Sequence, residues 1–472
     1  MIRKTPFAST VGVGRAEPEW AALNLVSDTC GYDKHHEEHR LSVGQVEKGN
    51  DEDTGTPLAL PDDVMAGDVQ DLINQEFDLI VVGAGLSEAT IAERCSKELN
   101  MRCLVLDKRN HIGGNCYDYV TKDGIRVSKY GAHLFHTQHE RVWEYVQKFS
   151  EWVPFDHRVK GRVTDLRGNV QLVPIPPTQE TVNKLFDACV HSEEAMQKWY
   201  NSQRIVPHGG KELANGEEAA LSRVGPLLYE KIFKHYTKKQ WDKYPEELDA
   251  SVLLRLPCRT TTDDRYFNDQ WQALPKRGYT RIFENMLLDD PNIAVRLNCD
   301  FFELQAHGAL PTHKLLVYTG QIDTYYAALG MPKLEYRSLR FEEEYVDTTN
   351  ADAGFFQEAM VVNYPEADVP FTRIVEYKHT PNQPAGRHQR PGTLIAREFS
   401  SATGEPYYPV PNRENRDLYD KYAAMAEKEE NVCFVGRLAS YKYFNMDQAI
   451  LNALEMYDNL KNTGRLDPQR RL

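Results

Sequence analysis

Gly83, Gly85 and Asp107 are the residues whose type and spacing first suggest chemistry. The two glycines follow an apolar run, Phe77–Val82, and precede a helical pattern from Leu86 to about Leu99. A second apolar run, Cys103–Leu106, ends in Asp107, 24 residues after Gly83, and Gly113-Gly114 come next. A strand, a glycine turn, a helix and a second strand ending in a carboxylate form the half-fold that holds a dinucleotide. The glycines let backbone approach a pyrophosphate, and the helix N-terminus offers it unpaired N–H groups and a positive dipole end. The carboxylate is placed to accept from ribose hydroxyls. Where the third glycine of G-x-G-x-x-G belongs, the chain has Glu88, a bulky anion expected to point away from both strand and phosphates.

The elements around this unit must position the rest of the chemistry. With 472 residues the chain can bury a large core in two or three domains or subdomains. Its net charge of −14 argues against a general nucleic-acid binder. Residues 1–76 hold 15 acids against 6 bases, a net of −9, which leaves −5 for the remainder. This segment reads as a low-order acidic extension, and its His35-His36-Glu37-Glu38-His39 run as solvated polar residues with no metal site. The 8 cysteines form no C-x-x-C pair, which fits a reducing compartment. No apolar run reaches the roughly 20 residues of a membrane span, so the expectation is a cytoplasmic protein, with organellar targeting by the extension left open.

Beyond Gly114, Lys129–Thr137 (KYGAHLFHT) is a small-residue loop flanked by aromatics and histidines. It reads either as a turn with core histidines or as a loop against a flat cofactor. Residues 158–175 alternate as a hairpin, and 178–250 turn helical, with one segment over Thr181–Phe186 and another from Ala219 to Lys239. Tyr236 and Trp241 close that section as core payload or as stacking surfaces for a nucleobase. Residues 293–297 and 314–318 suit further strands of the nucleotide domain, and 334–410 is mainly strands. A helix near 416–428, a strand ending in Gly436-Arg437 and a helix from Met446 then offer phosphate oxygens a second helix N-terminus beside a guanidinium.

From Phe77 to about Leu460 the chain resembles the bacterial-type UDP-galactopyranose mutases. The resemblance rests on DKRNHIGGN (107–115), KYGAHLFHT (129–137), YTKKQW (236–241), Arg255-Leu256-Pro257, Tyr266-Phe267, Gly278-Tyr279-Thr280, YRSL (336–339), PYYPV (406–410) and VGRLASYKY (435–443). It implies FAD, active in its reduced form. It also implies interconversion of UDP-galactopyranose and UDP-galactofuranose through a covalent flavin N5–galactose adduct, with no net redox change. UDP-galactose as substrate, no metal and a homodimer belong to the same expectation.

The resemblance implies roles residue by residue. Arg255 and Arg337 match the diphosphate-contacting arginines and, with His133 in the loop against the flavin ring, are the expected catalytic residues. Taken alone, each arginine reads as a structural ion pair. Tyr408 and Tyr443 match tyrosines near the diphosphate, Tyr266 another in that pocket, Tyr236 the residue stacking on uracil, and Trp241 a wall of the site. Gly83, Gly85, Leu86, Asp107, Lys108, Gly114, Asn115, His133, Arg437, Asn445 and Met446 are the expected cofactor contacts, Arg437 at the FAD pyrophosphate. Two positions depart from the pattern besides Glu88: Asn445 stands where relatives carry aspartate, and Asp107 where glutamate is commoner.

The expected architecture is an α/β Rossmann-like FAD-binding domain interrupted by an inserted helical bundle and an inserted antiparallel β-sheet domain. The boundaries are 77–150, 276–330 and 412–466 for the flavin domain, 178–262 for the helices, and 151–177, 263–275 and 331–411 for the sheet. Two other readings compete. A flavin-dependent amine oxidase or desaturase would need an apolar substrate tunnel, and a chaperone-like binding protein for prenylated GTPases would need no flavin.

Overall fold

The computed structural model describes residues 60–207, 212–255, 257–351 and 354–466. Strand β1 (Glu76–Val82) runs into the glycine turn and helix α1 (Leu86–Leu99), and β2 (Cys103–Leu106) returns beside β1. Both lie in a parallel sheet of 5 strands in the order Ile293–Arg296, β2, β1, Thr312–Tyr318, Val432–Phe434. Alternation along the strands decides which face each side chain covers. Cys103 and Val105 point to the core shared with α1 and the helix Met446–Asn462, whereas Leu104 and Leu106 face the other side. All ligand-facing turns leave the carboxyl ends of these strands, where open α/β sheets bind their ligands.

On that other side the expectation for residues 60–76 is overturned. Val69 and Leu72 are buried against Phe77, Ile80 and Leu104, and Arg296 pairs with Asp63 and Asp71. Burying two such side chains offsets chain entropy by about 1.5–3 kcal/mol each, so the acidic composition did not prevent order here. The rest of the extension, with its histidine run, lies outside the described residues.

A second sheet has 7 strands in the order Tyr408–Pro409, Tyr336–Val346, Thr393–Ser401, Arg373–Glu376, Val361–Asn363, Val159–Thr164, Val170–Ile175. Its pairings are antiparallel except that Val361–Asn363 runs parallel to Val159–Gly161. Helices Gln179–Phe186, Glu193–Gln203 and Gly216–Leu228 share a core with it through Val182, Met196, Tyr200, Val224 and Leu228, and Lys234–Trp241 buries Trp241 with Leu248 and Val410. The continuous helix expected from Ala219 to Lys239 breaks at Gly225 (φ +75°), and Pro226 restarts it. A side chain at Gly225 would collide with the backbone of Gln203, so the break is a packing requirement.

The sheet boundaries also need correction. Trp152–Pro154 and Trp271–Pro275 do not join the 7-stranded sheet: Trp271–Pro275 is the middle strand of a separate sheet, with Phe135–Thr137 on one side and Trp152–Pro154 on the other. Phe135, Trp152 and Leu274 bury into the core of the nucleotide domain.

Candidate active site

The glycine turn is built by close approach. Gly83 has φ +109°, and its N–H donates to Leu106 O at 2.7 Å, fixing the turn to β2. Gly113 N–H donates to Ala84 O at 2.8 Å, and a Cβ on Gly114 would lie 2.9 Å from Cα of Gly85. Gly436, at φ +90°, closes the far side against Ser87 and Thr319. Asp107 is 8 % exposed and accepts from Ala84 N–H at 2.9 Å and Arg109 N–H at 2.8 Å. Each carboxylate oxygen keeps a lone pair, so a ribose hydroxyl fits. Burial, opposed by these N–H groups and Arg109, raises its pKa.

Glu88 contradicts the sequence expectation. A Cβ on Gly83 would meet its Oε1 at 2.5 Å, and one on Gly85 its Oε2 at 3.1 Å. The carboxyl therefore curls back over the turn, where the Thr319 hydroxyl and the backbone N–H of Glu88 itself receive it. At a helix N-terminus these are the polar partners within reach of a half-buried acid. Backbone and Asp107 fit a dinucleotide; the Glu88 side chain takes up part of the space.

The other expected cofactor contacts divide. Lys108 bonds Glu405 at 3.0 Å in solvent, and Asn115 Oδ1 accepts from Arg109 at 3.0 Å. Leu86 opens α1. Asn445 is the N-cap of the helix Met446–Asn462, with Gln448 completing a capping box. An amide serves that purpose as well as a carboxylate. Met446 buries its side chain on Cys116, leaving its backbone amide for a ligand.

A second cluster gathers arginines and tyrosines from distant elements. The rings of Tyr408 and Tyr443 stack with centroids 5.0 Å apart, and Trp241 lies 6.2 and 6.0 Å from them. Arg255 places its guanidinium carbon 4.0 Å from the Tyr443 centroid. Arg437 sits 5.6 and 5.4 Å from the same two rings and donates to the carbonyls of Tyr407 and Phe444. Arg337, opposite Tyr408 in the sheet and 5 % exposed, donates to Gln240 O at 3.3 Å and to the Ser400 hydroxyl at 3.2 and 3.0 Å. Burial lowers its pKa, and Asp242 counters this.

Tyr236 and Tyr266 join the cluster through Arg373, which sequence reasoning missed. Arg373 Nε donates to Glu398 at 2.6 Å and interacts with Tyr236, Tyr266, Tyr408, His133 and His157. Burial opposes its charge, and Glu398 outweighs burial. Burial also raises the phenols of Tyr236, Tyr266 and Tyr408, which stay neutral O–H donors at pH 7. His133 Nδ1 meets Gly131 O at 2.8 Å, so Nδ1 carries the proton. Burial holds this imidazole at about 4, neutral at physiological pH. The His136–Asp269 pair at 2.8 Å, stacked on Phe267, was not foreseen either. Among the described residues no group of acids, histidines and cysteines could hold a metal ion, and no helix is long and apolar enough to cross a membrane.

The family model of UDP-galactopyranose mutases matches residues 231–443, and a model of NAD(P)-binding Rossmann-like domains matches 81–149. A Klebsiella pneumoniae protein described as a probable UDP-galactopyranose mutase is 37% identical over 390 residues, covering 81% of this chain and 94% of its own. The chain belongs to the UDP-galactopyranose mutase family. Another relative is the dTDP-fucopyranose mutase of Escherichia coli, 35% identical over 80% of this chain and 96% of its own. A crystal structure of reduced UDP-galactopyranose mutase shares the fold with a TM-score of 0.64 at 15% identity, over 84% of this chain and 98% of that one. The Rossmann-like sheet and the two inserted sections are thus the architecture of a UDP-galactopyranose mutase family member, and both clusters lie within the matched range.

Proposed function

We propose that this chain interconverts UDP-galactopyranose and UDP-galactofuranose on reduced FAD. The observation that carries the reading is the stacked Tyr408–Tyr443 pair, with the Arg255 guanidinium over Tyr443 and Arg337 opposite Tyr408 in the sheet. Bound in the cradle of Gly83, Gly85 and Asp107, reduced FAD would supply a nucleophilic nitrogen to the sugar. Gly83, Gly85, Gly114 and the start of α1 hold the pyrophosphate of the cofactor, and Asp107 its ribose. Leu86, Lys108, Asn115, Asn445 and Met446 complete that contact set, and Arg437 links it to the tyrosine pair. Arg255 and Arg337 offer N–H groups to the departing diphosphate, where a planar fork matches phosphate oxygens better than an ammonium. The phenols of Tyr266, Tyr408 and Tyr443 donate to the same oxygens, Tyr236 stacks on the base, and Trp241 walls the site. His133, neutral, borders the flavin ring without adding charge.

A site so rich in guanidinium and phenol groups speaks against the apolar substrate of an amine oxidase-like enzyme, and a flavin absorption spectrum would exclude the GTPase-chaperone reading. The same family reading carries a homodimer in the cytoplasm, which sedimentation and cell fractionation test.

The deciding assay supplies UDP-galactofuranose to protein reduced with dithionite and separates the nucleotide sugars by chromatography. Conversion by reduced protein and near inactivity of oxidised protein are expected; equal inactivity in both states defeats the reading. dTDP-fucopyranose is the control substrate, chosen from the second relative.

A further inference from the structure

Glu88 stands where the dinucleotide fingerprint has glycine, and its carboxyl spans Gly83 and Gly85 at the N-terminus of α1. That is where a pyrophosphate would seek N–H groups and the positive dipole end. Two anions cannot share this space without a proton or a displacement. We propose that Glu88 is a proton-dependent gate on the cofactor: the pyrophosphate binds while Glu88 is protonated, and ionisation of Glu88 weakens the hold. The proposal rests on the FAD reading above.

The hydrogen-bond geometry around Glu88 accommodates the protonated acid, although the Thr319 hydroxyl and the backbone N–H of Glu88 lower its pKa against the effect of burial. The Thr319 hydroxyl has one proton and two neighbours, Val82 O at 2.8 Å and Glu88 Oε1. Val82 O can only accept. With a proton on Glu88 the chain closes: Glu88 donates to Thr319, and Thr319 donates to Val82. With Glu88 ionised, Val82 O and the carboxylate compete for the single hydroxyl proton, and the backbone N–H of Glu88 is the donor that stays with the carboxylate.

The charged groups facing Glu88 act in both directions. From the end of β2, Asp107 faces Glu88 as a second acid, and Arg109 opposes it. From the turn Gly114–Cys116 comes the Cys116 thiol, which burial pushes up to about 12, so it adds no charge. Thr319, beyond Thr312–Tyr318, and Gly436, beyond Val432–Phe434, contribute none. Burial is the largest influence on Glu88 and raises its pKa above the ordinary glutamate value.

The sign follows from linkage. A bound pyrophosphate raises the pKa of Glu88 further, so at a pH between its free and bound values, binding takes up one proton from solvent. In that window affinity falls about tenfold per pH unit, and below it affinity is constant. A pyrophosphate diester keeps its charge near neutrality, so the cofactor itself adds no slope.

The test strips the flavin from the full chain and titrates it with FAD, following quenching of flavin fluorescence from about pH 5.5 to about pH 8.5. Wild type should lose about tenfold or more in affinity across this range. Glu88→Gln, neutral at every pH, should bind at the low-pH strength of wild type throughout. Glu88→Gly, which restores the fingerprint, should also be flat, and thermal melts establish that each variant folds. A flat wild-type profile, or a wild-type slope retained in either folded variant, overturns the gate alone. No FAD binding by wild type or variants at any pH overturns the cofactor reading and the gate together.

Discussion

Arg373 donates from Nε to Glu398 at 2.6 Å, and Glu398, 1 % exposed, has its other carboxylate oxygen directed at Gly131. The pair joins the sheet to the loop that carries His133. Glu398 is buried, but the Arg373 side chain is 27 % exposed, so removing Glu398 strands a charge that water partly reaches. Glu398→Ala should lower stability by about 1–2 kcal/mol, less than the loss from a fully buried pair, read as a shift of the urea midpoint. An unshifted midpoint would show that water already solvates Arg373.

Arg337 tests the diphosphate role directly. Arg337→Lys keeps the charge and loses the paired N–H geometry. We expect kcat/KM for UDP-galactofuranose to fall about 10–100-fold, roughly 1.4–2.8 kcal/mol of transition-state stabilisation. Steady-state kinetics on reduced protein measures it. Unchanged kinetics would assign Arg337 to its bonds with Ser400 and Gln240 alone.

His157 gives a pH dependence of stability. Burial, helped by Arg373 and His136, lowers its pKa to about 3, below the ordinary histidine value. The unfolded chain thus binds a proton that the native state refuses, and stability is lost as pH falls from about 6.5 towards 3. Relative to His157→Gln, wild type should lose about 1.4 kcal/mol per pH unit in that window. Urea melts at several pH values compare the two slopes; parallel slopes would place the titration elsewhere.

Gly114 has φ +53°, and a Cβ there would press on Cα of Gly85. Gly114→Ala should cost about 1–2 kcal/mol of backbone strain and displace the glycine turn. Purified variant should retain much less flavin per chain than wild type, as absorbance will show. Equal flavin content would mean that the turn absorbs the methyl group.

Periodicity made β1, α1 and β2 legible to within about one residue, because both faces of a parallel strand are buried and the helix carries its own apolar stripe. The helix Glu193–Gln203 escaped notice because Met196 and Tyr200 are its buried residues, too few to mark a stripe in EEAMQKWYNSQ. The parallel partner of Val361–Asn363 is 202 residues away, and no local pattern encodes it. Family motifs brought Arg255, Arg337, Tyr408 and Tyr443 to one site, yet Arg373 and Glu398 went unseen. Their signal is cross-strand register: Arg373 lies directly opposite Glu398, a pairing visible only once the strands are aligned. Glu88 was misjudged because a motif describes what belongs at a position, not which neighbours will solvate an intruder.

The strand order of the parallel sheet also sets a timetable for synthesis. Val432–Phe434 forms its edge, and Gly436 closes the cradle that Gly83 and Gly85 begin. A ribosome has finished the first glycines long before it makes the last one. Nascent chains therefore carry half a cradle until Gly436 has been made, and the cradle cannot close on a cofactor before then. A chain stopped ahead of Asn431 should emerge colourless, however well its earlier segments fold.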